Sequence, residues 1–329
     1  MKILITGGAG YIGLQTVREL RRLGHYCVIF DNLSTGSAEL TRQEKMIVGD
    51  LLDAQALDAV FRETRFDVVM HFAGASLVSE SVERPLFYYE QNVSGTLHLL
   101  AAMRAHSVSR IVFSSSAAVY GDVKTDLITE ETACRPTNPY GRSKRMVEEI
   151  LEDLFQREWL QHVCLRYFNA AGADPKEGLG ECRKVETHLI PRIFGEIARA
   201  QREGRKPVVK IYGQHYPTRD GTCVRDYIHV KDLAAAHAAA LHALMEKRNA
   251  SRLYNVGTGH GHSVLEIVNA ASHISGVPVE VHMLPPRPGD PPTLVADATR
   301  IRSEWGFAPQ HSDVGTILQT AWAWQRGRA

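Results

Sequence analysis

A short apolar strand that runs into a glycine-rich turn and then a helix constrains this chain more than any other feature. It covers residues 2–13, KILITGGAGYIG. Gly7 and Gly8 permit a tight turn. Gly10 lets the backbone approach a phosphate, and Gly13 lets the helix pack closely on the strand. The N-terminal N–H groups of that helix then face an anion. The pattern predicts a βαβ unit that holds the pyrophosphate of a dinucleotide.

The residues that follow strengthen this interpretation and indicate which dinucleotide is bound. A helical pattern runs from about residue 11 to residue 23, and a second strand, YCVIFD, ends in Asp31. A carboxylate at that place accepts hydrogen bonds from both ribose hydroxyls and repels a 2′-phosphate. The next residues, Asn32, Leu33 and Ser34, include no arginine that could bind a 2′-phosphate. The sequence therefore predicts NAD rather than NADP.

Composition excludes several classes of protein. The 329 residues allow one large domain or two modest ones, and 44% hydrophobic with 23% charged residues is typical of globular proteins. With 38 basic and 37 acidic residues the net charge is +1, so no global field would recruit nucleic acid or a membrane. The chain begins directly in a strand pattern, without a leader, and has no apolar run of membrane-spanning length. We therefore expect a cytoplasmic protein.

The cysteines and histidines give no sign of a metal site. The five cysteines are widely spaced, with no Cys-x-x-Cys pair, which is typical of free thiols in a reducing compartment. The 15 histidines form neither His-x-x-x-His nor His-Glu-x-x-His. We expect no metal.

Apolar strands alternate with helical patterns over the first half of the chain. Strands are predicted at 45–48, 68–72, 110–114 and 163–168, and helices near 54–63, 79–105 and 140–159. This alternation predicts an α/β fold with a doubly wound parallel (Rossmann) sheet. Longer loops after Asn169 suggest a smaller, loop-rich C-terminal substrate lobe. We expect a cofactor domain of residues 1–168 joined by about 225–257, and a substrate lobe of 169–224 and 258–329.

A serine cluster and a Tyr-x-x-x-Lys motif indicate chemistry. The strand IVFSSS ends in Ser114 to Ser116, at the sheet edge where open α/β folds place their ligands. Tyr140 and Lys144 lie four residues apart and share one face of a predicted helix. A free tyrosine has a pKa of ~10, and a nearby ammonium group favours the phenolate. The pattern predicts that Tyr140 accepts a proton beside a strand-end serine.

These motifs resemble those of the extended short-chain dehydrogenases/reductases and, within them, the UDP-glucose 4-epimerases. The resemblance covers nearly the whole chain and rests on TGGAGYIG, FDN, the GD ending at Asp50, HFAG, FSSSAAVYG, NPYGRSK, LRYFNAAGA, DGTCVRDYIHV, YNVGTG and RPGD. It implies NAD-dependent 4-epimerisation of UDP-glucose and UDP-galactose through a transient 4-keto sugar. It also implies a homodimer formed through the helices predicted at 79–105 and 140–159.

The motifs and the resemblance together give a set of expected site residues. The catalytic ones are Tyr140 as base, Lys144, which would hold the nicotinamide ribose and lower the pKa of Tyr140, and Ser116, which would bind the sugar O4. The expected cofactor residues are Gly7, Gly10, Tyr11, Ile12, Gly13, Asp31, Asn32, Asp50, Leu51, Phe72, Ala73, Gly74, Gln91, Ser114, Tyr140, Lys144 and Phe168. The expected substrate residues are Ser116, Tyr140, Asn169, His188, Leu189, Lys210, Ile211, Tyr212, Arg225, Arg287, Asp290 and Leu294.

Several positions depart from the best-known epimerases and leave the sugar open. Ala118 stands where a threonine often assists the sugar, Ser76 replaces a lysine near the cofactor phosphates, and Gln91 and His188 each replace an asparagine. At the position of Leu294 a large tyrosine would limit the pocket to plain hexoses, and a small cysteine would admit N-acetylated ones. The segments ETHLIP and RPGDPPTLVAD resemble a subgroup associated with exopolysaccharide sugars and pentoses. UDP-arabinose, UDP-xylose and UDP-GlcNAc therefore remain alternative substrates.

Two other functions are compatible with the same fold. A nucleotide-sugar 4,6-dehydratase needs an acid and a base after the strand-end hydroxyl, and Ala117 and Ala118 occupy that place. A UDP-glucuronate decarboxylase would be a further NAD-dependent relative. A catalytically silent NAD-sensing protein has no need to keep Tyr140, Lys144 and Ser116 together. The sequence therefore favours the epimerase.

Overall fold

A central parallel sheet organises the computed structural model, which describes residues 1–183, 186–246, 252–287 and 290–328. Its order is β10-β6-β5-β4-β1-β2-β3, with all neighbours parallel. The strands in chain order are β1 (Lys2–Thr6), β2 (Tyr26–Asp31), β3 (Met46–Val48), β4 (Val68–His71), β5 (Arg110–Ser116), β6 (Gln161–Tyr167), β7 (Asn169–Ala171), β8 (Val208–Tyr212), β9 (Val224–His229), β10 (Leu253–Val256), β11 (Gly261–Ser263), β12 (Glu280–Leu284) and β13 (Thr293–Leu294). The predicted doubly wound sheet is confirmed.

Helices cover both faces of this sheet, which is why its central strands read as continuous apolar runs. The helices are α1 (Tyr11–Arg22), α2 (Ala54–Glu63), α3 (Val78–Glu83), α4 (Pro85–Tyr89), α5 (Gly95–Ala105), α6 (Pro139–Gln156), α7 (Leu189–Glu203), α8 (Val230–Met245), α9 (Val264–Ser275), α10 (Thr299–Trp305) and α11 (Val314–Arg328). Helices α1 and α8 share one buried apolar cluster with β1. Helices α2, α5 and α6 share the other.

The prediction of one continuous helix over residues 79–105 was wrong. Helix α3 ends at Glu83, α4 begins at Pro85, and a π-helical turn (Glu90–Ser94) separates α4 from α5. Proline lacks an N–H group and disfavours a helical conformation of the preceding residue. Arg84 accordingly has φ −130° and ψ 57°, outside the helical region. The helix therefore breaks at Arg84.

A smaller lobe is built on a separate apolar cluster. Strand β9 pairs with β7, β11 and β13, while β8 pairs with β12. Helices α7, α9 and α11 pack around this cluster, which includes Phe194 and Trp322. Helix α8 packs on β5 and β6, and β10 pairs with β6 in the large sheet. We therefore propose that the chain returns to the cofactor domain at about Val230. Within the described residues, no helix is long and apolar enough to cross a membrane.

Candidate active site

The loop between β1 and α1 forms a close-fitting backbone cradle. Gly7 has φ +70°, and a Cβ there would lie 2.4 Å from the N atom of Ala73. A Cβ on Gly13 would lie 2.3 Å from the carbonyl oxygen of Gly7. Gly10 precedes α1 and has no side chain to cap it, so the N–H groups of the first turn remain available to an anion. The cradle therefore fits the pyrophosphate of a dinucleotide.

Asp31 lies at the end of β2, beside this cradle. Its carboxylate accepts hydrogen bonds from the N–H groups of Ala9, at 3.0 Å, and Leu33, at 2.8 Å. Burial raises the pKa of Asp31, and these two backbone hydrogen bonds oppose that rise. A carboxylate has about four acceptor positions, so two remain for ribose hydroxyls. Next to it, Asn32 donates a hydrogen bond to Asp50 at 2.8 Å.

The expected site residues meet in one cleft of about 1370 Å³ between the two lobes. All of them line it except Ser114. The hydroxyl of Ser114 lies 2.9 Å from Nε2 of His237, and its carbonyl oxygen accepts a 2.9 Å hydrogen bond from Nζ of Lys144. The contribution of Ser114 to the site is therefore to hold Lys144.

Helix α6 positions the tyrosine and the lysine. The side chain of Asn138 caps α6 by accepting a 2.9 Å hydrogen bond from the Gly141 N–H group, and Pro139 begins the helix. Tyr140 and Lys144 then follow one turn apart and are both buried. Burial lowers the pKa of Lys144 to about 8. The residues that begin α6 thus place Lys144 at the edge of the sheet.

The groups that act on the pKa of Tyr140 differ from the expectation that Lys144 would lower it. Burial raises the pKa of Tyr140, while a hydrogen bond with Ser116 and the positive charge of Arg183 act to lower it. Arg183 therefore contributes a positive charge that lowers the pKa of Tyr140, whereas Nζ of Lys144 donates a hydrogen bond to the backbone of β5. Arg183 was missed by the sequence analysis because it stands in an irregular loop with no motif spacing.

A second residue that the sequence analysis missed is Asn92, in the π-helical turn. Its amide donates to the carbonyl oxygen of Ala75 at 3.0 Å and to Oγ of Ser143 at 2.9 Å. Its carbonyl oxygen accepts from the N–H group of Ala75 at 2.8 Å. Asn92 is 3% exposed. It therefore ties the loop after β4 to α6, the helix that carries Tyr140.

An ion-pair cluster forms one wall of the cleft before α7. Nδ1 of His188 lies 2.5 Å from a Glu181 oxygen, and Nε of Arg183 lies 3.0 Å from the same oxygen. Burial opposes the charge on His188, but hydrogen bonds with Glu181 and Glu186 outweigh it and raise the pKa of His188 to about 9. The potential ligand atoms of Glu181, Glu186 and His188 lie within 4.8 Å of one another. In this cluster the positive charges of His188 and Arg183 already balance the carboxylates of Glu181 and Glu186.

The half of the cleft in the smaller lobe is basic. Arg287 lies with its guanidinium carbon 3.8 Å from the centre of the Tyr212 ring. Arg225, on β9, donates to the carbonyl oxygen of Val224 at 2.9 Å and lies 3.9 Å from Asp290. Leu294, on β13, pairs with Arg225 across the strands. These guanidinium groups suit a diphosphate, since they offer several fixed donors to its oxygens.

Fold and site together define a dinucleotide-binding α/β enzyme with a Tyr-x-x-x-Lys pair and a second, basic ligand half. The chain belongs to the NAD dependent epimerase/dehydratase family, whose profile matches residues 3–257. It is 43% identical over 327 residues to a UDP-glucose 4-epimerase of Lactobacillus helveticus, covering 99% of this chain and 97% of that one.

Solved structures of similar proteins agree with this membership. The UDP-glucose 4-epimerase of Brucella ovis in complex with NAD has a TM-score of 0.91 and 43% identity, with 98% of this chain and 97% of that chain covered. A UDP-glucose 4-epimerase from Stenotrophomonas maltophila, with bound NAD and formylated UDP-arabinopyranose, has a TM-score of 0.93 and 38% identity, with 100% and 98% covered. The predicted family and the predicted cofactor, NAD, are confirmed.

Proposed function

We propose that this protein is an NAD-dependent epimerase that inverts C4 of a UDP-sugar, with UDP-glucose and UDP-galactose as its main substrates. The observation that carries the proposal is a single continuous cleft with a glycine cradle at one end and basic side chains at the other. Tyr140, Lys144 and Ser116 line the same cleft. A ligand that spans the basic half would present its sugar to Tyr140.

The chain's own residues perform binding, orientation and proton transfer. Arg225 and Arg287 hold the diphosphate of the substrate, remote from the reacting carbon. Tyr140 takes the proton of the sugar 4-hydroxyl while Ser116 hydrogen-bonds to O4, and Lys144 holds the nicotinamide ribose. NAD, when bound, supplies a site that accepts a hydride from C4 and returns it. Between these steps the flat 4-keto sugar turns over, and Tyr140 returns the proton to O4.

The proposal is tested on the purified protein in two assays. The first releases the bound nucleotide by denaturation and measures it; we expect NAD, without any added during purification. The second incubates the protein with UDP-galactose, UDP-GalNAc, UDP-xylose and UDP-glucuronate and separates the products by chromatography. We expect UDP-glucose from UDP-galactose, with no net NADH. A dehydrated product would instead indicate a 4,6-dehydratase, and a decarboxylated product a UDP-glucuronate decarboxylase. A protein that binds NAD but converts no UDP-sugar would indicate the catalytically silent NAD-sensing protein.

The preference among sugars is proposed to depend on Leu294. It lines the cleft and packs beside the apolar cluster that contains Ala117 and Phe168. Discrimination by apolar bulk is worth about 1–3 kcal/mol, so preference should be graded. We expect Leu294→Ala to raise the kcat/KM ratio of UDP-GalNAc over UDP-galactose and Leu294→Tyr to lower it. A ratio that stays the same in all three proteins would remove Leu294 as the gate.

We further propose a cytoplasmic homodimer. Five large apolar side chains are exposed on the helices expected to form the dimer contact, namely Val78, Val82, Leu86, Leu97 and Met146. Leu86 is the most exposed of them, at 79%. Removing such side chains from water would favour association with a second copy. All five cysteines are unpaired, which suits a reducing compartment.

A further inference from the structure

The cofactor half of the cleft is short of positive charge. Among the residues from Gly7 to Gln91 that line it, none is a lysine or an arginine. The same stretch contributes four carboxylates to the lining, those of Asp31, Asp50, Glu80 and Glu83. A dinucleotide diphosphate adds further negative charge. The N-terminus of α1 supplies only about half an elementary charge to offset it.

One cation from the opposite lobe reaches this half. Arg183 extends from the loop before α7, and its Nη1 atom lies 3.5 Å from Oγ of Ser76, on the loop that follows β4. That loop also passes the glycine cradle, because a Cβ on Gly7 would meet the backbone of Ala73. The side chain of Arg183 is 19% exposed. It therefore crosses the cleft beside the place where a diphosphate fits.

A hydrogen bond at the Nε atom holds the guanidinium group pointing toward Ser76. Nε of Arg183 donates to Glu181 at 3.0 Å, and Glu181 is 9% exposed. This contact fixes the plane of the guanidinium, and within the described part of the chain its Nη2 atom makes no hydrogen bond. A planar group with spare donors pairs well with phosphate oxygens.

The other cations of the cleft have different positions. Lys144 donates to the carbonyl oxygen of Ser114. Lys210, Arg225 and Arg287 line the substrate half, as do Arg192 and Arg199 on α7, where Arg199 pairs with Glu196. Among the described residues of the substrate lobe, Arg183 is thus the cleft cation with a contact to the loop that follows β4.

We propose that Arg183 binds the diphosphate of the bound dinucleotide from across the cleft, so that the substrate lobe helps to retain the cofactor. The inference rests on the proposed cofactor site and adds a residue to it. A diphosphate could also come from the UDP-sugar, so the test separates the two sources.

The experiment measures release of the nucleotide from the holoprotein. Wild type and variants are purified with their NAD, diluted into buffer containing an excess of a dehydrogenase that traps free NAD, and followed for protein-bound NAD over time. Binding of UDP to the NAD-loaded proteins is measured separately by calorimetry. The variants are Arg183→Gln, Arg183→Gln with Ser76→Lys, and Arg202→Gln, a matched control with an exposed arginine on α7.

We expect Arg183→Gln to release NAD at least tenfold faster than wild type, and more so at low salt, where screening is weak. Arg202→Gln should release NAD at the wild-type rate. Adding Ser76→Lys should restore slow release, because it places a cation on the facing loop. The restoration separates a charge effect from simple loosening of the loop.

Three results would overturn the inference. Release from Arg183→Gln could equal that of wild type, UDP affinity alone could fall, or Ser76→Lys could fail to restore retention. The second result would assign Arg183 to the substrate diphosphate. The proposed function fails on a different observation, namely a wild-type protein that holds no NAD.

Discussion

Tyr140 combines a position fixed by local sequence with a proton affinity fixed by its surroundings. The capped start of α6 places it at the sheet edge, 7% exposed. Burial alone would keep the phenol protonated, so the groups around it must favour the phenolate before it can act as a base. Ser116 and Arg183 act in that direction in the structure.

Replacing Tyr140 with phenylalanine should therefore remove catalysis and leave the fold intact. General acid–base catalysis typically contributes ~10²–10⁴-fold, so turnover should fall by that factor or more. The matched control is Tyr120→Phe, since the Tyr120 hydroxyl donates to Asn255 at 2.7 Å in the core. The control should lose stability and keep its turnover. Steady-state kinetics and thermal unfolding distinguish the two; a Tyr140→Phe variant within tenfold of wild type would exclude Tyr140 as the base.

His188 gives the ion-pair cluster a pH dependence. Its pKa is about 9 in the folded protein and ~6.5 in an unfolded chain. A raised folded pKa means that its stabilisation is fully present below pH ~6.5 and is lost as the pH rises through about 9. The melting temperature of wild type should therefore exceed that of His188→Asn at pH 6, and the difference should shrink by pH 10. A difference that is constant or grows with pH would contradict the ionised histidine.

At the scale of elements, a buried ion pair joins α6, the helix that carries Tyr140, to the sheet. Arg166, on β6, donates to both oxygens of Glu148, on α6, at 2.8 and 2.7 Å. Ser115, on β5, donates to the same carboxylate at 2.6 Å. Both charged side chains are 1% exposed. Helix α6 is thus fixed against two strands by one carboxylate.

Removing one partner of this pair should be much more costly than removing both. Arg166→Met leaves the buried Glu148 carboxylate with Arg145, 3.2 Å away and 33% exposed, in place of its bidentate buried partner. Removing one partner of a buried pair typically costs about 3–5 kcal/mol, and Arg145 should hold the loss toward the lower end. The double variant with Glu148→Met should recover much of that loss. Arg62→Met, on an exposed pair with Asp58, serves as the control and should leave the urea midpoint unchanged. If the single and double variants unfold at the same urea concentration, the pair does not hold α6.

At the scale of the whole molecule, two lobes with separate cores face each other across the cleft. The cofactor domain supplies the glycine cradle and α6, whereas the smaller lobe supplies Arg225, Arg287 and Arg183. The cofactor domain therefore carries the proposed catalytic residues, and the smaller lobe carries the arginines proposed to bind the substrate diphosphate. In the proposed reaction the sugar turns over between two hydride transfers. This arrangement suits that motion, because the smaller lobe can hold the nucleotide while the reacting carbon faces the cofactor domain.

The proposed dimer depends on the exposed apolar side chains of α3 and α4. Leu86→Glu should weaken association, since it puts a charge on the apolar face of α3 and α4. Leu127→Glu is the control, because Leu127 is 45% exposed and lies outside these helices. Analytical ultracentrifugation should show a dimer for wild type and the control, and a shift toward monomer for Leu86→Glu. A wild-type protein that sediments as a monomer would exclude the dimer.

Short-range patterns determined much of this protein. The turn at Gly7 to Gly13, the end of β2 at Asp31 and the spacing of Tyr140 and Lys144 depend on residues a few positions apart, so they can be predicted from sequence. The break at Arg84 was also encoded locally, in Pro85, although the apolar pattern of the region obscured it. The family resemblance then supplied roles that spacing could not.

Tertiary structure decided which charges meet. Arg183 and Ser76 lie 107 positions apart in the chain and come together only because the smaller lobe folds over the cofactor domain. The raised pKa of His188 depends on two carboxylates and on burial, and neither is a property of a motif. Local backbone geometry is fixed by nearby residues, whereas electrostatics depends on distance in space and on the exclusion of water. The sequence by itself therefore determined the fold class and predicted the proposed reacting pair, Tyr140 and Lys144, and the fold decided the charges around them.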